Sequence, residues 1–334
     1  MTRTPLPLLV SFALLTACNI KEDREEFNEL DRLRVMAVQV EPAQVPLGET
    51  ATLRALVYDP AGRDITYEWS WCPVRNGSGD GFSCALPEDE LQEVWDALGT
   101  RMELPPYDLG DGESAEFDNV FAPDMVAGLC QVLIGEQTAD ERAILACLLG
   151  LDISVQVVVR AGGDELVVLR TVELADADVD PEDLNHNPEV SAELEVSLRD
   201  DEDASLDADT LIRGEVHKLI AMATEDQAET FLPEKRDGLD APTARRETLF
   251  MEWFITAGQM EEGDEEGPRD DDDGGGGRTT TYVDGGDFAE DLLENYWDIR
   301  KSETARSARL FMVLHDERGG VGWAEHSFDI GAAQ

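Results

Sequence analysis

Carboxylates, cysteines and histidines are the residues of this chain with chemistry to offer. The 334 residues include 74 Asp and Glu against 26 Lys and Arg, with four His and five Cys. Asp176, Asp178 and Asp180 stand at alternate positions of the stretch DADVDPEDLNHNP, with Asp183 close behind. That opening suits calcium, a hard cation that takes oxygen ligands. An EF-hand loop then needs Gly at its sixth position and a bidentate Glu at its twelfth. Pro181 and Asn187 stand there instead. The stretch reads either as a looser calcium site at a junction or as a solvated linker. Structural zinc asks for closely spaced Cys and His pairs, and His186, His217, His315 and His326 are scattered. Catalytic signatures fail in turn. The chain has no GxSxG elbow, no phosphate-binding loop, no GxGxxG and no HExxH. Acidic pairs occur everywhere, so none singles out a glycosidase. His315 and His326 read as surface or edge histidines. No enzyme and no cofactor are expected, calcium at the aspartates apart.

Cys18 has a different setting. Arg3 is a short positive region, Leu6 to Ala17 (LPLLVSFALLTA) is apolar, and charged sequence begins at Lys21. Spanning a bilayer takes about 20 apolar residues, so residues 1–17 read as a cleaved secretory signal. Leu15-Thr-Ala-Cys18 resembles the lipobox of bacterial lipoproteins. The resemblance implies cleavage before Cys18, lipid on its thiol and an acylated new amino terminus, followed by a tether over 18–30. Asn rather than Asp at position 19 implies the outer membrane by the sorting rule of that family. An exported chain with four further cysteines points to two disulfides. Proximity favours Cys72 with Cys84 and Cys130 with Cys147, among three connectivities. The formal charge of −48 disfavours nucleic acid and anionic headgroups as partners.

The elements that must hold these residues are mostly strands. Ile65, Tyr67, Trp69 and Trp71 alternate with polar residues, and Leu249, Met251, Trp253 and Ile255 share one face of a second run. Such period-two patterns predict strands with one buried face. Ile153 to Leu174 and Leu310 to Ile330 each predict a hairpin around a glycine turn. Leu33 to Val40 and Thr52 to Tyr58 open the first unit; Val190 to Leu198 and Val216 to Thr224 open the second. Pro87 to Leu98 carries acids in its first turn and apolar residues at helical spacing. Val126 to Leu149 reads as two short helices around a capping box, Thr138 to Glu141. Gln259 to Asp287, with its run of acids and glycines, reads as a disordered loop.

The stretch from Arg34 to Cys72 resembles the first half of an immunoglobulin-like domain of bacterial surface proteins, with a core Trp on strand C. Arg309 to Phe328 resembles the closing hairpin of PKD- and cadherin-like domains. The whole pattern is similar to lipoproteins of Gram-negative bacteria with GC-rich genomes, such as myxobacteria. Cys72 at the end of strand C departs from antibody-type domains, which join strands B and F. The expected fold is mostly β: two tandem immunoglobulin-like β-sandwiches. The first covers 31–175 with a helical insertion over about 87–150, the linker 176–188, and the second 189–334 with its acidic loop. The expected function is non-catalytic binding or scaffolding at the outer membrane, facing periplasm or cell surface, with other envelope proteins as partners. The alternatives are a calcium-stiffened adhesion module and an accessory subunit of an envelope enzyme or secretion machine.

Overall fold

The computed structural model describes residues 28–332, apart from 74, 76–80, 85, 98, 100–101, 123–125, 129, 131–152, 176–178, 181–182, 191–193, 201–208, 223–227, 233–242, 261–279 and 284–291. The chain is mostly β and forms two immunoglobulin-like sandwiches. In the first, β1 (Arg34–Glu41), β3 (Thr50–Tyr58) and β6 (Ser114–Asp118) make one antiparallel sheet. β5 (Asp108–Gly110), β4 (Ile65–Cys72), β7 (Ser154–Ala161) and β8 (Asp164–Thr171) make the other, in that order. β2 (Gln44–Val45) crosses over and pairs in parallel with β9 (Glu173–Leu174).

Alternation decides what these strands bury. Trp69 and Trp71 of β4 are 0% and 1% exposed. Three rings meet the Trp71 indole at an angle: Tyr107 at 5.2 Å, Phe121 at 5.3 Å and Phe117 at 5.7 Å. Its N–H donates to the Pro106 carbonyl at 2.8 Å. Burying a large ring is favourable only when its polar edge keeps such a partner. Helix α1 (Glu88–Ala97) carries three acids in its first turn, where the helix dipole welcomes negative charge. Leu91 and Trp95, one turn apart, are its buried residues, and the Trp95 ring lies 5.5 Å from Phe121. The helix thus closes one side of the same aromatic core. The β7–β8 turn is Gly162-Gly163, and Gly162 has φ +63°, a conformation that side chains resist in a two-residue hairpin.

The second sandwich repeats the topology. One sheet is β10 (Leu194–Leu198), β12 (Val216–Met222), β18 (Leu292–Asp298) and β16 (Gln259–Met260). The other is β11 (Thr210–Ile212), β20 (Val321–Gly331), β19 (Ser307–Asp316), β15 (Leu249–Ile255) and β17 (Thr280–Val283). β11 pairs with β20 in parallel, as β2 does with β9. A small ladder, β13 (Thr230–Phe231) with β14 (Arg245–Arg246), stands before β15. Trp253 and Trp297, both fully buried, fill this core.

The structure corrects three expectations. The insertion read over 87–150 contains β5 and β6, whose Ala115 and Phe117 are core residues. The loop read over 259–287 contains β16 and β17. Met260 is buried and pairs with Trp297, and Thr280-Thr-Tyr-Val283 is a β-branched and aromatic run of the kind that fits a pleated surface. The linker read as solvated is packed at its end, where Asn185 is 2% exposed and Pro188 is buried. Of the two helices read over 126–149, residues 126–128 and 130 are helical; the rest, with the capping box, lies outside the described residues.

A third apolar cluster joins the sandwiches. Leu30, Met36 and Ala37 pack with Phe254, Phe311, Val313 and Val321. β1 therefore lies along the outer face of the β15–β19–β20 sheet. The two domains sit side by side, with the linker at one end.

Candidate functional site

Cys18, Cys147, Asp176 and Asp178 lie outside the described residues. Cys72 and Cys84 form a disulfide, with Cα atoms 5.8 Å apart. It closes a loop around Arg75, whose guanidinium donates to the carbonyls of Ser70 (3.1 Å) and Phe82 (3.2 Å) and to Gln156 Oε1 (2.7 Å). Burial pushes the Arg75 pKa down to about 10, so the side chain stays cationic at neutral pH and ties the loop to β4 and β7. Cys130 is disulfide-bonded as well. Asp180 and Asp183 are exposed, joined by the Asp183 N–H donating to the Asp180 carbonyl at 2.8 Å. Among the described residues no three His, Cys, Asp or Glu side chains are grouped to hold a metal.

Polar side chains converge instead at the junction of the two domains. Gln39 Nε2 of β1 donates to the Val321 carbonyl at 2.6 Å. Asn187 of the linker donates to the Val40 carbonyl (2.8 Å) and Glu41 Oε2 (2.5 Å), and its Oδ1 accepts from the Val321 N–H at 2.9 Å. One amide thus spans both domains. Gln44 and Asn185 add a pair of bonds: the Gln44 N–H to the Asn185 carbonyl at 3.3 Å, and the Asn185 N–H to Gln44 Oε1 at 3.2 Å. Arg309 of β19 lies over the rings of Tyr58 (5.2 Å) and Phe311 (4.8 Å). Tyr58 belongs to the first domain and Phe311 to the second, so this cation–π contact clamps the seam.

The β19–β20 turn, Asp316 to Gly320, is built around a buried carboxylate. Asp316 Oδ1 accepts from the N–H groups of Arg318 (2.8 Å) and Gly320 (2.7 Å). Burial pushes the Asp316 carboxyl up, and these two N–H groups oppose the shift. Arg318 donates to Glu247 and Glu229 together and lies 5.0 Å from the Phe231 ring. Glu247 is 1% exposed. Burial pushes its pKa up to about 7 against the pull of Arg318. His186 of the linker meets Glu229 at 2.6 Å through Nδ1. Chemically, this network fixes the position of linker and turn: each charge is held by another element of the same chain.

Sequence reasoning singled out none of Glu229, Glu247, Arg318 or Asn187 as site residues. His217, fully buried, accepts from the Ile212 N–H at Nε2, 2.9 Å away, and burial lowers its pKa. It is a core residue. His315 is half-buried, stacked on Phe250 with centroids 4.6 Å apart.

No protein-family model matches the chain, and no curated protein does. Among solved structures it is similar to the three N-terminal domains of Hoc, the highly immunogenic outer capsid protein of bacteriophage RB49. The identity is 11% over 90% of this chain and 59% of that one, with a TM-score of 0.20. It is similar to the adhesin InvE of Yersinia pseudotuberculosis, at 10% identity over 87% of this chain and 58% of that one, TM-score 0.17. It is also similar to the N-terminal Ig1-2 module of the Drosophila receptor protein tyrosine phosphatase DLAR, at 9% identity over 91% and 100%, TM-score 0.22. The chain spans less than two thirds of the length of the first two. The immunoglobulin-like assignment rests on the strand order itself.

Proposed function

We propose that the protein is a non-catalytic binding or scaffolding module, held at the outer membrane by lipid on Cys18. The observation that carries the reading is the seam between the domains. An apolar cluster, a shared amide and a cation–π clamp set two sandwiches side by side as one platform. Domains that move freely meet through smaller, more polar surfaces. A platform of fixed shape loses little conformational entropy on binding a partner, which suits a scaffold. The lipobox at Leu15 to Cys18 supports the address. Cys18→Ala is expected to release the protein from the membrane fraction and to abolish labelling by a fatty-acid probe. A mutant that stays bound and labelled overturns the anchor. Affinity capture from native envelopes with Phe311→Asp as the control tests the platform. Partners are expected on the wild type and lost when the seam is opened. Equal recovery on both overturns it.

A further inference from the structure

We propose that the end of the molecule where the chain enters is the face turned toward the membrane, and that Arg300, Lys301 and Arg306 on that end meet anionic lipid headgroups. The proposal rests on attachment through Cys18, and its test separates the two.

The entry point is fixed by backbone bonds. The Leu30 N–H donates to the Ile255 carbonyl at 2.8 Å, and the Ile255 N–H to the Asn28 carbonyl at 2.9 Å. Glu29 makes a parallel bridge with Ile255. Ile255 ends β15 opposite Leu310, whereas Leu249 at the other end faces Asp316 and the linker. β19 covers that span in ten residues, about 30 Å at roughly 3.4 Å per residue. The chain therefore comes in at the pole far from the linker. Ten peptide steps from Cys18 to Asn28 reach at most about 35 Å at ~3.3–3.6 Å each. Only a fully stretched tether laid along the molecule would bring the linker end to the bilayer. Any shorter path brings the entry pole down first.

Beside that entry lies the loop after β18. The Thr256 N–H donates to the Arg309 carbonyl at 3.1 Å, and the Gly258 N–H to Glu303 Oε2 at 3.2 Å. The loop reads RKSETAR over 300–306. Arg300, Lys301 and Arg306 are exposed. Glu303, the one acid in it, is turned back on the backbone and accepts from the N–H groups of Thr304 (2.7 Å) and Ala305 (2.8 Å). Those bonds, the Ala305 one first, hold its carboxyl below its usual range. So the loop presents three cations outward, in a chain with 74 acids and 26 bases. The same pole carries the exposed acids Asp31 and Glu215, and the whole chain is repelled by an anionic surface. Screening sets in within about 8 Å at physiological ionic strength, so the groups that touch the surface decide orientation. The tether supplies the attachment; the loop supplies the facing.

The test is a footprint of arginine reactivity toward phenylglyoxal, read by mass spectrometry on the full chain. One sample is the native chain, reconstituted in vesicles of phosphatidylethanolamine and phosphatidylglycerol. Another is full chain whose Cys18 thiol is coupled to a maleimide lipid, so that attachment no longer depends on cellular lipidation. Relative to detergent solution, Arg300 and Arg306 are expected to lose reactivity several-fold, while Arg245 at the linker end is unchanged. Protection of Arg245 instead, or of both ends alike, overturns the orientation. Equal protection of Arg300 on phosphatidylcholine vesicles overturns the headgroup contact. A native chain that fails to enter vesicles at all sinks the Cys18 reading, and the maleimide-coupled chain still reads the orientation.

Discussion

Glu247 is where a single residue governs the response of the molecule to pH. Its carboxyl is buried among Arg318, Glu229 and Asp316, and its pKa stands at about 7 against an ordinary 4.5. A carboxyl whose folded pKa exceeds its unfolded one holds its proton more tightly in the native state. Its contribution to stability is therefore full at low pH and is lost as pH climbs from 4.5 through 7. His217 acts in the opposite sense, because burial lowers its pKa and stability is lost as pH falls below the ordinary imidazole range. Comparing wild type with Glu247→Gln cancels the histidine. The stability difference between the two is expected to shift by on the order of 3 kcal/mol from pH 5 to pH 8, in favour of the variant. Urea titrations at the two pH values measure it, and parallel curves would show that Glu247 is ionised throughout.

At the scale of elements, the β19–β20 hairpin and the linker approach each other too closely for any side chain at Gly322. A Cβ there would stand 1.9 Å from the Pro188 carbonyl oxygen. Backbone must move to admit it, so Gly322→Ala is expected to destabilise the fold by about 1–3 kcal/mol, seen as a lower melting temperature. The sequence made some elements plain and hid others for local reasons. β4 and β15 are legible because each alternates within its own seven or eight residues. β15 and β19 also carry Phe254, Phe311 and Val313 on the face that alternation assigns to solvent. Those apolar residues are the trace of the neighbouring domain, and a single strand cannot say what covers it. β18 alternates through Leu293, Asn295 and Trp297, but a polar residue among the three, next to an acidic run, hid the pattern. The junction network was invisible because its partners are far apart in the chain: Arg318 and Glu247 are separated by 71 positions. Cys72 and Cys84 were legible because twelve positions and a shared loop bring them together.

For the molecule as a whole, the seam predicts how it melts. Two sandwiches that share buried rings and a bridging amide should unfold together, in one calorimetric transition. Phe311→Asp places a charge in that cluster and is expected to split the transition in two; a split already present in the wild type would show the seam to be weak. Calcium gives a further test. With linker and turn already fixed by Asn187, Asn185 and Arg318, the melting temperature is expected to rise equally in calcium and magnesium at matched ionic strength, through screening of the −48 charge. A rise of several degrees confined to calcium would restore a specific site at Asp176 to Asp183, since a ligand at 100 times its Kd stabilises by about 2.7 kcal/mol.

The covered sheet face also bears on how the protein is made. The chain is exported amino end first, so β1 and its domain emerge before the residues that will lie against Met36 and Ala37 exist outside. Until β15, β19 and β20 arrive, that surface is bare, and an apolar sheet face is an invitation to self-association. The second domain has the mirror problem. Separated from the first, it would present Phe254, Phe311, Val313 and Val321 to water. Neither half is equipped for life apart, and a protease cut in the linker would release two sticky fragments where one well-behaved protein had stood.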